Sequence, residues 1–303
     1  MKRITAMDIV AVSEVRKSFN SNLVVNDVSF NVRPGDVFGL IGPNGAGKTT
    51  TIRMIMDIIK PDSGTISVLG ERLNELTKNK IGYLPEERGL YRKPTVINSL
   101  VYLASLKGIT SQQARRRAEV LLERIGMLPH KNKKIEELSK GMGQFIQFLV
   151  AIVHDPELVI LDEPFAGLDP VNTELLKEII VELKNQGKAI ILSTHRMNEV
   201  EELCDRIFMI NKGQPVLYGE LAEIKSKYRN NSVILQYEGD LTQLEGITGK
   251  QDYKDHIELF FDATASPQMI LEQLVNQGIK VDRFEVSTPS LHDIFLQLVE
   301  EAK

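Results

Sequence analysis

The chain has 303 residues, enough for one large or two modest domains, and its 26% charged and 42% hydrophobic content is that of an ordinary globular protein. A net charge of −4 sets up no overall field toward nucleic acid or anionic lipid, and the single cysteine, Cys204, excludes an intramolecular disulfide and a cysteine-cluster metal site. No apolar run approaches the ~18 residues of a membrane span and the first residues lack a signal-peptide pattern, so any membrane role is expected through a partner.

Residues Ile9 to Phe19 and Val28 to Val32 alternate and are rich in Val and Phe, which predicts antiparallel strands. Phe19, at the end of the first run, is either an aromatic free to stack on a base or a strand residue facing the core. Val37 to Ile41 is a continuous apolar run of the buried-strand kind. The next stretch, Gly42 to Thr50, reads G-P-N-G-A-G-K-T-T, and helical spacing follows from Thr50 to Ile59. Gly42, Gly47, Lys48 and Thr49 match the Walker A pattern G-x-x-x-x-G-K-[ST], in the strand–loop–helix order that the pattern requires. A polyphosphate needs a concave row of N–H groups, a helix N-terminus, a cation at the β/γ-phosphates and a hydroxyl on Mg²⁺. Asn44, Gly45, Ala46, Gly47, Lys48, Thr49 and Thr50 are the candidate contacts, with Lys48 as the cation and Thr49 as the metal-bound hydroxyl.

A turn at residues 60–64 leads into a strand from Thr65 to Leu69, and a second strand, Ile81 to Leu84, runs into the polar loop Pro85-Glu86-Glu87-Arg88-Gly89. From Thr95 to about His154 the pattern is helical, an insert in an α/β domain, with Gly126 at a helix C′ position. The basic clusters Arg115 to Arg117 and Lys131 to Lys134 read as solvated faces. Leu138-Ser139-Lys140-Gly141-Met142 precedes a largely apolar helix, whose N-terminus is either an anion site or a plain N-cap.

Leu158 to Leu161 is an apolar strand ending in Asp162-Glu163, the Walker B arrangement. Alternation sends the two carboxylates different ways, which suits Asp162 to a metal and Glu163 to a general base on the attacking water. Phe165 to Pro170 is a turn, Val171 to Gln186 a helix closed by Gly187, and Ala189 to Leu192 a strand with Ser193-Thr194-His195 at its end. His195 there is either a phosphate contact or structural. A hairpin follows, with Asn211-Lys212-Gly213-Gln214 at its turn; this half resembles the guanine-reading N-K-x-D motif, but the missing acid argues against a GTPase. The last 75 or so residues form a smaller α+β unit in which no catalytic constellation is visible and His256 and His292 lack metal-ligand neighbours.

In order, these motifs resemble the ATP-binding subunits of ABC transporters over about residues 6–225. The resemblance implies a P-loop NTPase: a RecA-like α/β core with an antiparallel β subdomain and a helical subdomain at about 95–154, and residues 226–303 form an accessory α+β domain for dimerisation or regulation. It gives Leu138–Met142 as the signature, Asp169 as the D-loop acid, His195 as the switch histidine and Phe19 as the adenine-stacking aromatic. Ser139 and Gly141 would cover the γ-phosphate held by a second subunit, in a head-to-tail pair sandwiching two ATP molecules. Catalysis then falls to Glu163, His195 and Lys48, and Mg²⁺ to Thr49, Asp162 and Glu86. Glu86 departs from the family's glutamine, and Lys140 and Met142 depart from its Gly and Gln. These variants, with P-S-L-H-D-I-F in the tail, look like the sodium-extrusion (NatA/YhaQ-like) branch of ABC-2 exporters. The implied partners are an ABC-2 type membrane permease and a second ATP-binding subunit, a homodimer at the cytoplasmic face of the membrane, with no nucleic acid. Sodium, a drug or a peptide could be the cargo. The alternative is a soluble ABC ATPase working on ribosomes or DNA, against which stand the single nucleotide domain, the absence of a long coiled-coil insert and the acidic balance.

Overall fold

Continuous apolar runs become the central strands of a six-stranded sheet, since a parallel strand covered on both faces has no polar side to present. The computed structural model describes residues 8–87, 89–228, 231–239, 241 and 244–301; Arg88 of the polar loop lies outside them. The chain divides into two units between Leu221 and Ala222. In order, the first contains β1 (Val10–Phe19), β2 (Asn22–Val32), β3 (Val37–Ile41), α1 (Lys48–Ile55), β4 (Ser63–Val68), α2 (Glu75–Lys78) and β5 (Ile81–Leu84). It continues through α3 (Val96–Ser105), α4 (Ser111–Arg124), α5 (Lys140–Ile152), β6 (Leu158–Asp162), α6 (Pro170–Asn185), β7 (Ala189–Thr194), α7 (Met197–Leu203), β8 (Arg206–Asn211) and β9 (Gln214–Glu220).

The large sheet has the order β5-β6-β7-β3-β8-β9, parallel except for β9, and β2-β1-β4 form a separate antiparallel sheet. One core joins them. Phe30 of β2 stacks on Phe38 of β3 at 5.1 Å and lies 5.0 Å from Phe208 of β8. Beside these rings the guanidinium of Arg206, itself buried, donates to Asn31 O at 3.0 Å and Asp36 Oδ2 at 3.1 Å. Satisfying a buried cation on several sides is what makes its burial tolerable.

The insert expected at 95–154 contains α3, α4 and α5. Thr110 caps α4 through a box with Gln113, and Gly126 follows its end at φ 67° as a C′ glycine should. α1 stops short of the expected Ile59 because Asp57 turns to a left-handed φ of 56°. Two elements of the first unit are absent from the sequence reading. α7 is short, and the four residues of α2 are too few to show a period.

The division falls within the first turn of α8 (Leu221–Lys227), and the boundary expected near 225 lies inside the same helix. Then follow β10 (Ser232–Glu238), β11 (Ile247–Asp252), β12 (Ile257–Phe261), α9 (Pro267–Asn276), β13 (Lys280–Val286) and α10 (Leu291–Glu301). The antiparallel order is β11-β12-β10-β13, and Ile270 and Leu274 of α9 pack with Val233, Leu235 and Leu259 of the sheet. β11 reads I-T-G-K-Q-D and gave no strand signal; as an edge strand it is held by its ladder to β12 rather than by an apolar face.

After α5, the ring of His154 is buried, with Nε2 donating to Ile81 O at 3.1 Å and Nδ1 left without a partner. Burial, helped by the charges of Lys107 and Arg117, lowers its pKa to about 4. The unfolded chain therefore takes up a proton near pH 6.5 that the folded chain refuses until about pH 4, and stability falls with pH across that window. Urea denaturation should lose about 2 kcal/mol between pH 7 and pH 5, and His154→Gln should flatten that limb.

Candidate active site

Parallel register gathers the motifs. β3 pairs Ile41 with Thr194 of β7, β7 pairs Ser193 with Asp162 of β6, and β6 pairs Leu161 with Leu84 of β5. The residues that follow, Gly42, His195, Glu163 and Pro85, therefore emerge side by side at the carboxyl edge, where open α/β sheets hold their ligands.

A cavity of about 220 Å³ opens there, lined by Val24, Asn44, Gly45, Gly47, Lys48, Thr49, Thr50, Glu86 and Glu163. Lys48 is 6% exposed, and its ammonium donates to Gly42 O at 2.8 Å and Pro43 O at 3.2 Å while standing 3.7 Å from Glu163 Oε1. The loop's carbonyls and one carboxylate thus hold the cation at the cavity wall. Glu163 accepts from Thr194 Oγ1 at 3.3 Å on its other oxygen, and His195 Nδ1 lies 2.9 Å from Oε1. Its backbone sits at φ 51°, a left-handed conformation that costs a non-glycine residue on the order of 1 kcal/mol, and its N–H donates to Ser193 O at 2.9 Å. The turn aims the carboxylate at Lys48 rather than along the strand.

Asp162 is fully buried behind this wall, and neither carboxyl oxygen has a hydrogen-bond partner. Burial pushes its pKa up; the nearby hydroxyls of Ser193 and Thr49 pull the other way without completing hydrogen bonds, while Glu86 and Glu163 add repulsion. Burial and the charge of Asp162 together push Tyr83 up to about 12. A buried carboxylate with two unused oxygens beside a threonine hydroxyl is the donor set for a hard cation. Among the described residues no group of three or more His, Cys, Asp and Glu is gathered for a metal.

The remaining sequence candidates lie elsewhere. Ser139, Gly141 and Asp169 line a second cavity of about 390 Å³ together with Met142, Phe145 and Asn172. Ser139 caps α5 by accepting from Met142 N at 3.3 Å, and Asp169 caps α6 by accepting from Asn172 N at 3.0 Å, which holds its carboxyl below the usual range. Phe19 is 45% exposed at the end of β1, with the Lys17 ammonium 5.4 Å from its ring centre, and it does not line the first cavity. Ala46 is buried under its loop.

Two residues escaped the sequence reading. Gln144 and Gln147 of α5 are buried and donate to Pro164 O at 3.2 Å and Glu87 O at 3.1 Å, tying the helix after Ser139 to the loops that follow β6 and β5. Their signal was present: two amides in an apolar helix need buried partners.

Comparison with known proteins identifies the family. The family profile described as ABC transporter matches residues 25–166, and that described as ATP-binding protein DrrA1-3-like, C-terminal domain, matches residues 219–299. The chain is 45% identical over 294 residues to the ABC transporter ATP-binding protein YhaQ of Bacillus subtilis (strain 168), covering 96% of this chain and 98% of that one. It is 34% identical to the Nod factor export ATP-binding protein I of Rhizobium etli, covering 97% and 93%. A solved structure of the ATP-binding subunit of an ABC transporter superposes with a TM-score of 0.69 at 33% identity, over 73% of this chain and 93% of that chain.

The unpartnered charge of Asp162 yields a stability test. Its raised pKa means that ionisation opposes folding at neutral pH, and the penalty fades as pH falls and the carboxyl protonates. Asp162→Asn should raise the ligand-free chain's unfolding free energy at pH 7 by about 1 kcal/mol, with the gain disappearing in acid, as read by urea denaturation.

Proposed function

The chain belongs to the ATP-binding subunits of ABC transporters, ATPases that power transport, and from that premise we propose that it energises export through a separate ABC-2 type membrane permease. No helix among the described residues is long and apolar enough to cross a membrane, and in this reading the chain attaches to that permease at the cytoplasmic face. The export direction is supported by the likeness to the Nod factor export protein.

One observation carries the catalytic part: Glu163, Lys48 and His195 converge within hydrogen-bonding or ion-pair distance at the edge of a cavity floored by a phosphate loop. In this reading Asn44 to Thr50 present backbone N–H groups to the phosphates, and Lys48 exchanges its carbonyl partners for β/γ-phosphate oxygens. Thr49, Asp162 and Glu86 would hold Mg²⁺, which offsets phosphate charge in the transition state. Asp162's unused oxygens fit that duty. Glu163 takes the proton of the attacking water, and His195 fixes the carboxylate and reaches the γ-phosphate. Phe19 stacks on the adenine.

The second cavity supports a two-chain mechanism. Ser139, Gly141 and Asp169 share one surface hollow, separate from the Walker A cavity, so neither hollow alone surrounds a nucleotide. A second copy, turned head to tail, would bring its Ser139 hydroxyl and the α5 N-terminus over the γ-phosphate; hydrolysis then releases the pair and drives the permease.

Glu163→Gln should keep MgATP binding and accumulate an ATP-bound dimer on size exclusion while turnover falls by at least about 100-fold, or roughly 2.7 kcal/mol of barrier. Turnover like the wild type would remove Glu163 from the base role. Reconstituted in vesicles with an ABC-2 permease, the chain's ATPase rate should rise; indifference to the permease would defeat the transport assignment.

A further inference from the structure

The Asn211-Lys212-Gly213-Gln214 stretch, which half resembles a guanine-reading motif, has a different task in the fold. Asn211 pairs with Gln214 across the β8–β9 hairpin, and the two central residues, Lys212 and Gly213, hold φ angles of 48° and 76°. These are the left-handed pair of a type I′ turn, in which the central residues' main-chain groups are not used by the hairpin itself. Gly213 uses both of its groups elsewhere. Its N–H donates to Ala46 O, in the phosphate loop, at 2.9 Å, and its carbonyl accepts from Asn26 N, on β2, at 2.9 Å.

The joint is tight as well as bonded. A Cβ on Gly213 would stand 2.5 Å from Val24 O and 2.9 Å from Val24 C, and a Cβ on Gly47 would stand 2.9 Å from the same Val24 O. Two glycines, one on the turn and one on the phosphate loop, therefore let both backbones close onto a single carbonyl of β2. Val24 lines the Walker A cavity, and Phe19 closes the same β1–β2 hairpin, opposite Asn22.

We propose that Gly213 is a positioning residue that sets the spacing between the β1–β2 wall, which takes the purine base, and the loop that takes the phosphates. The assignment rests on the reading of the Phe19 and Val24 side as the base wall. Its physical content is a directed one: the space denied to a side chain at 213 faces Val24, not the phosphate loop, so a substitution there shifts the base wall while the phosphate-facing N–H groups stay on α1 and its loop.

The test compares two ligands on the full-length chain by titration calorimetry with Mg²⁺: ATP, which needs both walls, and tripolyphosphate, which needs only the phosphate loop. Gly213→Ala should weaken ATP binding about tenfold and leave tripolyphosphate within about twofold, with KM raised and kcat held in steady state. Asn26→Pro, which replaces the donor to Gly213 O with a ring carbon that presses on that carbonyl, should act in the same direction. Equal weakening of the two ligands, or unchanged ATP affinity in both variants, overturns the proposal. Phe19→Ala separates the two ideas. If it abolishes the advantage of ATP over tripolyphosphate while both joint variants keep that advantage, the base wall stands and the spacing role of Gly213 falls. If Phe19→Ala keeps the advantage, the base wall falls and the proposal with it.

Discussion

Parallel pairing brings the carboxyl ends of β6, β7 and β3 level, and a slip of one residue in either ladder would send Asp162 and its neighbours to the opposite faces of the sheet. That register is enforced by burial. All five residues of β3, all five of β6 and all six of β7 are buried, so the ladder and the packing on both faces favour the same alignment. The chemistry at the edge inherits its precision from this agreement, and Lys48, Glu163 and His195 need only short extensions beyond it to meet.

Charge at the edge is left unbalanced in the ligand-free chain. Lys48 leans on the carbonyls of its own loop and on Glu163, and Asp162 keeps two oxygens without partners in the interior. A hydrocarbon core would cost less in free energy, and the phosphates of a bound nucleotide would give Lys48 its counter-charge. The left-handed backbone at Glu163 belongs to the same design, since an extended residue there would carry the carboxylate along the strand and away from Lys48.

The helical insert is tied into this edge by amides rather than by charge. Gln144 and Gln147 join α5 to the loops after β6 and β5, so the helix that begins beyond Ser139 and the loop that carries Glu86 and Glu87 are parts of one hydrogen-bonded assembly. A displacement of either loop is passed through these bonds to α5.

By itself, the sequence determined the parts whose signals are local. Gly42 to Thr49 reads as a phosphate loop because it places a glycine turn, a cation and a hydroxyl at the Walker A spacing, and Asp162-Glu163 stands out as two acids closing an apolar strand. Helix ends at Gly126 and Gly187 were legible for the same reason, each being a glycine at a left-handed C′ position. What pairs across the chain was not legible. β11 has no apolar pattern of its own and exists through β12, the glutamines of α5 show only a need for partners, and the N-K-G-Q stretch could be read as a weakened base-binding motif. Only the tertiary structure decided that Gly213 lies between Ala46 and Asn26, because its two hydrogen bonds join segments more than 160 residues apart, and such contacts leave no period or spacing along the chain.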